Sequence, residues 1–249
     1  MLHSSLSTGA DALLAVSIPT LVTQLGLAVG DVALRVVISV TALIMCVTVH
    51  EFGHAFVADR LGDPLPRRQG RVTLNPIAHI DPLGTLLFPA LMAMGASVPL
   101  AWGKPVEWTG HPANLTRRFS MRTIRFFVAV AGPGMNLILA VLLSAVFLLC
   151  SKLAWLAGMK MCLELIAMNF GLMFFNLLPI PPLDGRVFLE YLPDSLSVVR
   201  DTLFRYGQFI FLALILLGGV GGTSPLSVIM APFQWLTSQY LTLLLWLIR

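Results

Sequence analysis

The sequence predicts an all-α polytopic membrane protein with about six transmembrane helices, a re-entrant or short apolar segment and minor β structure. The first observation is composition: 57% of the 249 residues are hydrophobic and 11% are charged, and the mean hydropathy is +0.86. A soluble domain carries about 25% charged residues, so an ordinary cytosolic enzyme and a disordered chain are both excluded. The second observation is that the apolar residues form runs long enough to cross a bilayer.

Six apolar runs come close to the roughly 20 residues that cross a hydrocarbon core. They occupy positions 12–30, 32–58, 123–150, 161–180, 206–222 and 231–248. A seventh run, residues 83–102, contains Gly84, Pro89, Gly95 and Pro99. Because glycine and proline weaken a helix, the charges on its two sides are the better guide to its path.

Basic residues flank the seventh run on both sides. Four arginines precede it and five basic residues follow it: Arg60, Arg67, Arg68 and Arg71, then Lys104, Arg117, Arg118, Arg122 and Arg125. Cytoplasmic loops carry the excess of Lys and Arg, so a full crossing would place one cluster on the wrong face. We therefore expect the run to dip into the membrane and return, which puts both clusters and the N-terminus in the cytoplasm.

The chain shows no internal repeat and no linker, so residues 1–249 are predicted to form a single membrane domain. The 16 Lys and Arg residues are scattered between apolar runs and do not form the basic stripe that follows a phosphate backbone. The expected surroundings are therefore a lipid bilayer, and no nucleic-acid partner is expected.

The second run contains His50, Glu51 and His54 within five positions. Helical residues four apart share a face, so the two imidazoles can bind one zinc ion. Zinc lowers the pKa of a bound water, and a neighbouring carboxylate can take its proton and pass it to a leaving amine. This pattern indicates peptide hydrolysis. The alternative is that the histidines lie at the membrane interface while Glu51 pairs with an arginine such as Arg60.

A catalytic zinc site needs a third protein ligand and an open position for water. Six acidic or histidine side chains are candidates: His79, Asp81, Glu107, His111, Glu164 and Asp184. Asp184 follows a turn with three prolines, which ends an apolar run and can hold a carboxylate rigidly. The predicted topology puts this turn at the same membrane face as His54, whereas Glu164 lies near the opposite face. Asp184 is therefore the preferred ligand, and the alternative is that it only caps a turn.

Four separated motifs occur in chain order. They are His50-Glu-Phe-Gly-His54, Asn75-Pro-Ile-Ala-His79-Ile-Asp81-Pro-Leu-Gly84-Thr85, Ala131-Gly-Pro-Gly-Met-Asn136, and Asn176-Leu-Leu-Pro-Ile-Pro-Pro-Leu-Asp184-Gly185. Together they resemble the motifs of the site-2 protease family of intramembrane zinc metalloproteases, over a core at residues 32–192. The chain has no room for the PDZ or nucleotide-binding regulatory domain of larger members, so we expect the small form.

The resemblance implies that His50, His54 and Asp184 bind one catalytic Zn2+ ion and that Glu51 is the general base and acid. It also implies a substrate that is a transmembrane segment of another protein, cut to release a regulator or to clear a signal-peptide remnant. The expected location is a prokaryotic cytoplasmic membrane, with the active-site end in the cytoplasm. Two other functions stay open: a catalytically silent escort that binds transmembrane helices, and a metal transporter.

Two amides and one further histidine are candidates for contacts with substrate or with the oxyanion. Asn136 and Asn176 lie at membrane depth, where an unbonded amide is costly, and interhelical hydrogen bonding is the equal alternative for both. For His79 the role near the site comes mainly from the resemblance, and turn capping explains it equally well. Asn169 is deeper in the membrane and is left out of the predicted site. The stretch around 66–75 could pair with an extended substrate as an edge strand near the site.

Overall fold

The computed structural model describes residues 32–87, 89, 102–109, 118–216 and 225–248. Within these ranges the chain is mostly helical. The helices are α1 (Val32–Arg60), α2 (Leu65–Arg68), α3 (Met121–Lys152), α4 (Leu156–Asn176), α5 (Ser197–Leu216) and α6 (Pro225–Trp246). Short 3-10 turns lie at Pro76–Ala78, Asp184–Tyr191 and Asp194–Leu196, and a π-helical turn lies at Pro82–Leu87.

Three described helices are long and apolar enough to cross a membrane: Val37–Arg60 within α1, Met121–Lys152 and Leu156–Asn176. They correspond to the predicted runs at 32–58, 123–150 and 161–180. The expected number of six spans is not confirmed. The run at 12–30 and most of 83–102 lie outside the described residues. Helices α5 and α6 overlap the last two runs, and residues 217–222 of the run at 206–222 lie outside the described residues.

The predicted minor β structure is not confirmed, because the described part of the chain contains no strand. The stretch around 66–75, predicted as an edge strand, bends at residues 72 and 73 instead. The N–H of Asn75 donates to Oγ1 of Thr73 at 3.1 Å, and the Asn75 side chain accepts from the N–H of Ile77 at 3.1 Å. Local bonds of this kind compete with a strand ladder, and Pro76 has no N–H to offer one. The edge expected around 66–75 is therefore part of a short helix and a turn.

Helix α3 is central and packs along both α1 and α4. At one end Ala58 of α1 is buried against Ile124 and Val128 of α3. Towards the other end Phe147 of α3 and Ile166 of α4 belong to a larger buried cluster that also includes residues of α6. Because lipid is as apolar as these side chains, close packing rather than removal from water stabilises such contacts. Helix α3 thereby fixes α1 and α4 relative to each other.

The turn Asp184–Tyr191 is fixed to the beginning of α3. A guanidinium nitrogen of Arg125 lies 2.8 Å from a carboxylate oxygen of Glu190, and the guanidinium carbon of Arg122 lies 4.0 Å from the centre of the Tyr191 ring. These contacts bring the turn that follows α4 to the same end of the bundle as the last turns of α1. The predicted site residues of the second run and of the proline turn therefore converge.

Candidate metal centre

Three potential ligand atoms from two distant parts of the chain meet at this end of the bundle. Nε2 of His50 lies 3.1 Å from Nε2 of His54, and Oδ2 of Asp184 lies 3.2 Å from each of these nitrogens. The histidines are one turn apart on α1, and the aspartate begins the turn after α4. In the described ranges, this is the one group of three His, Cys, Asp or Glu side chains that could hold a metal ion.

The donor set fits a zinc ion. Tetrahedral zinc with nitrogen and oxygen ligands at about 2.0–2.1 Å separates its ligand atoms by about 3.3 Å, which is close to the three observed distances. Oδ2 of Asp184 is buried and makes no hydrogen bond to the described residues, although both Nε2 atoms are near it. Three atoms that present lone pairs to one another repel unless a cation lies between them. The two histidines and Asp184 can therefore hold a metal.

Both histidines have their other ring nitrogen engaged. Nδ1 of His50 lies 2.6 Å from Oδ1 of Asn136, and Nδ1 of His54 lies 2.7 Å from the backbone oxygen of Val128. Carbonyl oxygens only accept hydrogen bonds, so each Nδ1 carries the hydrogen and donates. Each Nε2 is then left with a lone pair directed at the shared centre, which is the usual arrangement of metal-binding histidines.

Two glycines make room for this geometry. A methyl group at Gly132 of α3 would overlap Nε2 of His54 and would lie 2.7 Å from Nε2 of His50. A methyl group at Gly185 would overlap the carbonyl oxygens at the end of α4, those of Leu177 and Leu178. Gly132 therefore lets α3 approach the histidines, and Gly185 lets the turn that carries the aspartate fold against the helix it follows.

Glu51 follows His50 on α1 and is buried. Its Oε2 accepts a hydrogen bond from the backbone N–H of Val106 at 3.0 Å, and its Oε1 accepts none from the described residues. The alternative pairing with Arg60 is not formed, because that guanidinium lies 4.8 Å from the centre of the Phe56 ring. One carboxylate oxygen of Glu51 is thus held by a backbone N–H group.

The segment that supplies Val106 is tied to the loop before it by Arg71. This buried guanidinium donates to the backbone oxygens of Ala78 and Lys104, and the N–H of Lys104 donates to the backbone oxygen of His79 at 2.9 Å. These bonds fix residues 102–106 against the residues that precede the π-helical turn. The position of the Val106 N–H beside the glutamate therefore depends on this loop.

His79 is buried in the same loop, with 1% of its surface exposed. Its Nε2 donates to the backbone oxygen of Thr73 at 2.8 Å, and Nδ1 has no partner among the described residues. Burial lowers the pKa of this imidazole, so the ring is neutral and Nδ1 carries a lone pair. Its contact with substrate stays a prediction.

The other candidates for the third ligand do not join the group. Asp81 accepts from the N–H groups of Leu83 and Gly84, and Glu107 accepts from the side chain of Gln69. Glu164 lies in the first half of α4, away from the helix end that leads to the metal centre. His111 is outside the described residues.

Asn136 lies behind His50, and its amide also donates to Asn169 at 2.8 Å. The bonds from Asn136 to His50 and Asn169 join different helices, which is the alternative role expected for Asn136. Its contact with substrate stays a prediction. Asn176 donates within its own helix to the backbone oxygen of Leu172 at 2.9 Å, and its substrate contact is likewise a prediction. Asn169, which was left out of the predicted site, is the partner of Asn136. The available signal was its amide at membrane depth, which requires a partner.

Comparisons with known proteins identify a peptidase family. The model of Peptidase family M50 matches residues 38–166, which is more than half of the chain and ends before Asp184. The chain is 38% identical over 189 residues to the Bacillus subtilis protein named "Putative zinc metalloprotease YwhC", covering 70% of this chain and 78% of that protein.

Two further relatives, both named Rip2 and described in the same words, come from Mycolicibacterium smegmatis and Mycobacterium tuberculosis. They are 31% and 32% identical over 186 residues, which cover 73% of this chain and 66% of each relative. No solved structure matches. The family model, the relatives and the four motifs agree, and the chain belongs to Peptidase family M50, the site-2 protease family.

Proposed function

We propose that the chain is a zinc-dependent intramembrane endopeptidase that cleaves other membrane proteins in or near their transmembrane segments. The observation that carries this proposal is the meeting of three ligand atoms, 3.1–3.2 Å apart, beside the carboxylate of Glu51. The names of the relatives and the apolar helices support it. Regulated release of a membrane-bound regulator and clearance of signal-peptide remnants are the two processes that such a cleavage serves.

His50, His54 and Asp184 are the proposed zinc ligands. A zinc ion held there supplies a Lewis acid for the scissile carbonyl and lowers the pKa of water towards neutrality. The hydrogen bonds from the two Nδ1 atoms orient both rings so that their Nε2 atoms face the metal. The carboxylate contributes the one negative charge among the three ligands.

Glu51 is the proposed general base and acid. Its Oε2 is held by the N–H of Val106, so Oε1 is the oxygen that takes the proton of the attacking water. The same oxygen then returns the proton to the leaving nitrogen. Burial of this carboxylate keeps bulk water away from the reaction and strengthens each of these contacts.

The basic residues support a cytoplasmic position for the site. Arg60 ends α1, and Arg122 and Arg125 lie in the first turns of α3, at the same end of the bundle as Asp184. The opposite ends of α3 and α4 carry Lys152 and Lys160. By the excess of Lys and Arg on the cytoplasmic side, we propose that the metal centre faces the cytoplasm.

The substrate must unwind before cleavage. The carbonyl groups of a transmembrane helix are occupied by hydrogen bonds within the helix, so the scissile segment has to become extended before its carbonyl is accessible. Helix-weakening residues near the cytoplasmic end of a substrate span lower the cost of this step. We therefore propose that such residues mark the cleaved substrates.

The proposal is tested by turnover of a fluorogenic transmembrane substrate by the purified protein in liposomes. Glu51→Gln removes the base and retains a similar shape, so we expect turnover to fall by about 10²–10⁴-fold with zinc content unchanged. Glu164→Gln is the matched control, because it makes the same chemical change on α4 away from the metal centre, and it should keep wild-type turnover. Equal turnover by wild type and Glu51→Gln would contradict the assignment.

The second candidate function, a silent escort, predicts a different result. Wild type with bound zinc would then capture the transmembrane substrate without cleaving it, and Glu51→Gln would bind it equally well. The buried carboxylate beside a complete ligand set favours the enzyme over the escort. Capture of substrate by Glu51→Gln, together with cleavage by wild type, would exclude the escort and yield the substrate's identity.

A further inference from the structure

Two asparagines lie behind His50, on the side of the ring that faces away from the metal centre. Asn136 of α3 and Asn169 of α4 are fully buried. Oδ1 of Asn136 accepts from Nδ1 of His50 at 2.6 Å, and Nδ2 of Asn136 donates to Oδ1 of Asn169 at 2.8 Å. A chain of side-chain hydrogen bonds thus links α4 through α3 to the histidine on α1.

The direction of these bonds is fixed at the far end of the chain. Nδ2 of Asn169 donates to the backbone oxygen of Leu165 at 2.8 Å and to Sγ of Cys46 at 3.2 Å. A backbone oxygen can only accept, so the amino group of Asn169 must face Leu165 and its oxygen must face Asn136. Asn136 is then held with its amino group towards Asn169 and its oxygen towards His50. Nδ2 of Asn136 also donates to the backbone oxygen of Cys46, at the longer distance of 3.4 Å, so the 2.8 Å bond to Asn169 is the shorter of the two that set this orientation.

A flipped Asn136 would move the hydrogen on His50. With Nδ2 of Asn136 facing the ring, Nδ1 of His50 would have to accept, and the hydrogen would lie on Nε2. That atom faces Asp184, and a nitrogen that carries a hydrogen has no lone pair for a metal. The position of the hydrogen on His54 does not depend on an amide side chain. Its Nδ1 donates to the backbone oxygen of Val128, and a backbone carbonyl cannot flip.

We propose that Asn169 is a positioning residue that holds the Asn136 amide in the one orientation that leaves Nε2 of His50 free to bind the metal. This proposal rests on His50 being a ligand in the proposed function. Many buried polar pairs at membrane depth only join two helices. The proposal gives Asn169 the additional role of setting the tautomer of His50. Loss of such a supporting bond typically weakens metal affinity by about 10–100-fold.

The test reads the His50 tautomer by ¹⁵N NMR of zinc-free protein with labelled histidine. We expect the hydrogen on Nδ1 in wild type. Asn169→Leu removes the shorter of the two hydrogen bonds that orient Asn136, so we expect both tautomers of His50 in that variant. Zinc affinity, measured by competition with a chelator, should then fall about tenfold or more.

Asn169→Asp is the conservative variant that should rescue the tautomer. Desolvation favours the protonated carboxyl at this depth, and a protonated carboxyl offers an O–H to Leu165 and an oxygen to Asn136. The double variant Asn136→Leu with Asn169→Leu should bind zinc no more weakly than Asn136→Leu alone, because the first change already removes the contact with His50.

Ser144→Ala is the structural control. Ser144 is a buried residue of α3 whose Oγ lies 2.9 Å from the hydroxyl of Tyr240 on α6, so its loss should lower thermal stability without changing the tautomer. The proposal is overturned if Asn169→Leu keeps the wild-type tautomer and zinc affinity, whatever its stability. Additive losses of zinc affinity in the double variant would also overturn it.

Failure of the proposed function gives a different result. If His50→Gln retains wild-type zinc affinity, the ligand assignment fails. The tautomer of His50 in zinc-free protein, measured without any substrate, still tests whether Asn169 orients Asn136. The two failures are therefore distinguishable.

Discussion

The carboxylate of Glu51 accepts a hydrogen bond from the backbone N–H of Val106, with an N–O distance of 3.0 Å. The two residues lie on different elements, the first on α1 and the second in the irregular segment 102–109. A backbone donor cannot change its hydrogen-bonding character, so it holds one oxygen of the carboxylate in place. The backbone N–H of Val106 thus orients the proposed base.

Val106→Pro removes this donor, because proline has no N–H. We expect turnover to fall about 10–150-fold, corresponding to about 1.5–3 kcal/mol for one hydrogen bond to a charged group, while zinc content stays at the wild-type level. Val106→Ala keeps the N–H and is the control, with turnover close to wild type. Full turnover by Val106→Pro would show that Glu51 is oriented without this amide.

Gly132→Ala should abolish zinc binding at the metal centre. The added methyl group overlaps Nε2 of His54, so the imidazole must move away from the position that the metal requires. Gly134→Ala is a close control on the same helix, since a methyl group there meets nothing within 4 Å and alanine favours a helix over glycine. We expect lost zinc affinity in the first variant and wild-type affinity in the second. Zinc retention by Gly132→Ala after dialysis would contradict the close approach of α3.

Asp184→Asn should weaken zinc binding, because it removes the one anionic ligand. Loss of a supporting hydrogen bond costs about 10–100-fold in metal affinity, and we expect a larger loss here. Asp194→Asn is the control, since that carboxylate is exposed on the next turn of the chain. Chelator competition measures both affinities. Equal zinc affinity in the two variants would mean that the third ligand is another residue.

His79 should make stability depend on pH. Burial is the main cause that lowers its pKa from the ordinary value of 6.5; the charge of Arg71 lowers it further, while the bond to Thr73 and the charge of Glu51 raise it. The folded protein therefore binds a proton at His79 less well than the unfolded chain does. As a result, the free energy of unfolding decreases as the pH falls below about 6.5.

His79→Gln can keep a donor to the Thr73 oxygen but does not titrate. We expect the difference in melting temperature between wild type and this variant to move against wild type as the pH is lowered from 7.5 to 5.5. All other titratable groups are the same in both proteins, so the difference isolates His79. A constant difference across this range would contradict the prediction.

Secondary structure in the apolar parts of the chain was predictable because it depends on local sequence. The predicted runs at 32–58, 123–150 and 161–180 correspond to α1, α3 and α4, since about 20 apolar residues form a helix that satisfies its own backbone in lipid. The stretch around 66–75, predicted as an edge strand, was harder to interpret. Its hydrogen-bonding groups are taken by Thr73 and Asn75, and a short alternating pattern does not reveal that competition.

The sequence by itself determined the pair His50 and His54, because the spacing of four in a helix places both rings on one face whatever surrounds them. It also singled out Asp184, through the prolines that stop the preceding helix. Only the tertiary structure decided that Asn136 and Asn169 stand behind His50, that Gly132 makes room for the rings and that Val106 holds Glu51. These contacts depend on how α1, α3 and the segment 102–109 pack together, and packing between distant segments is set by the shapes of all the side chains at once.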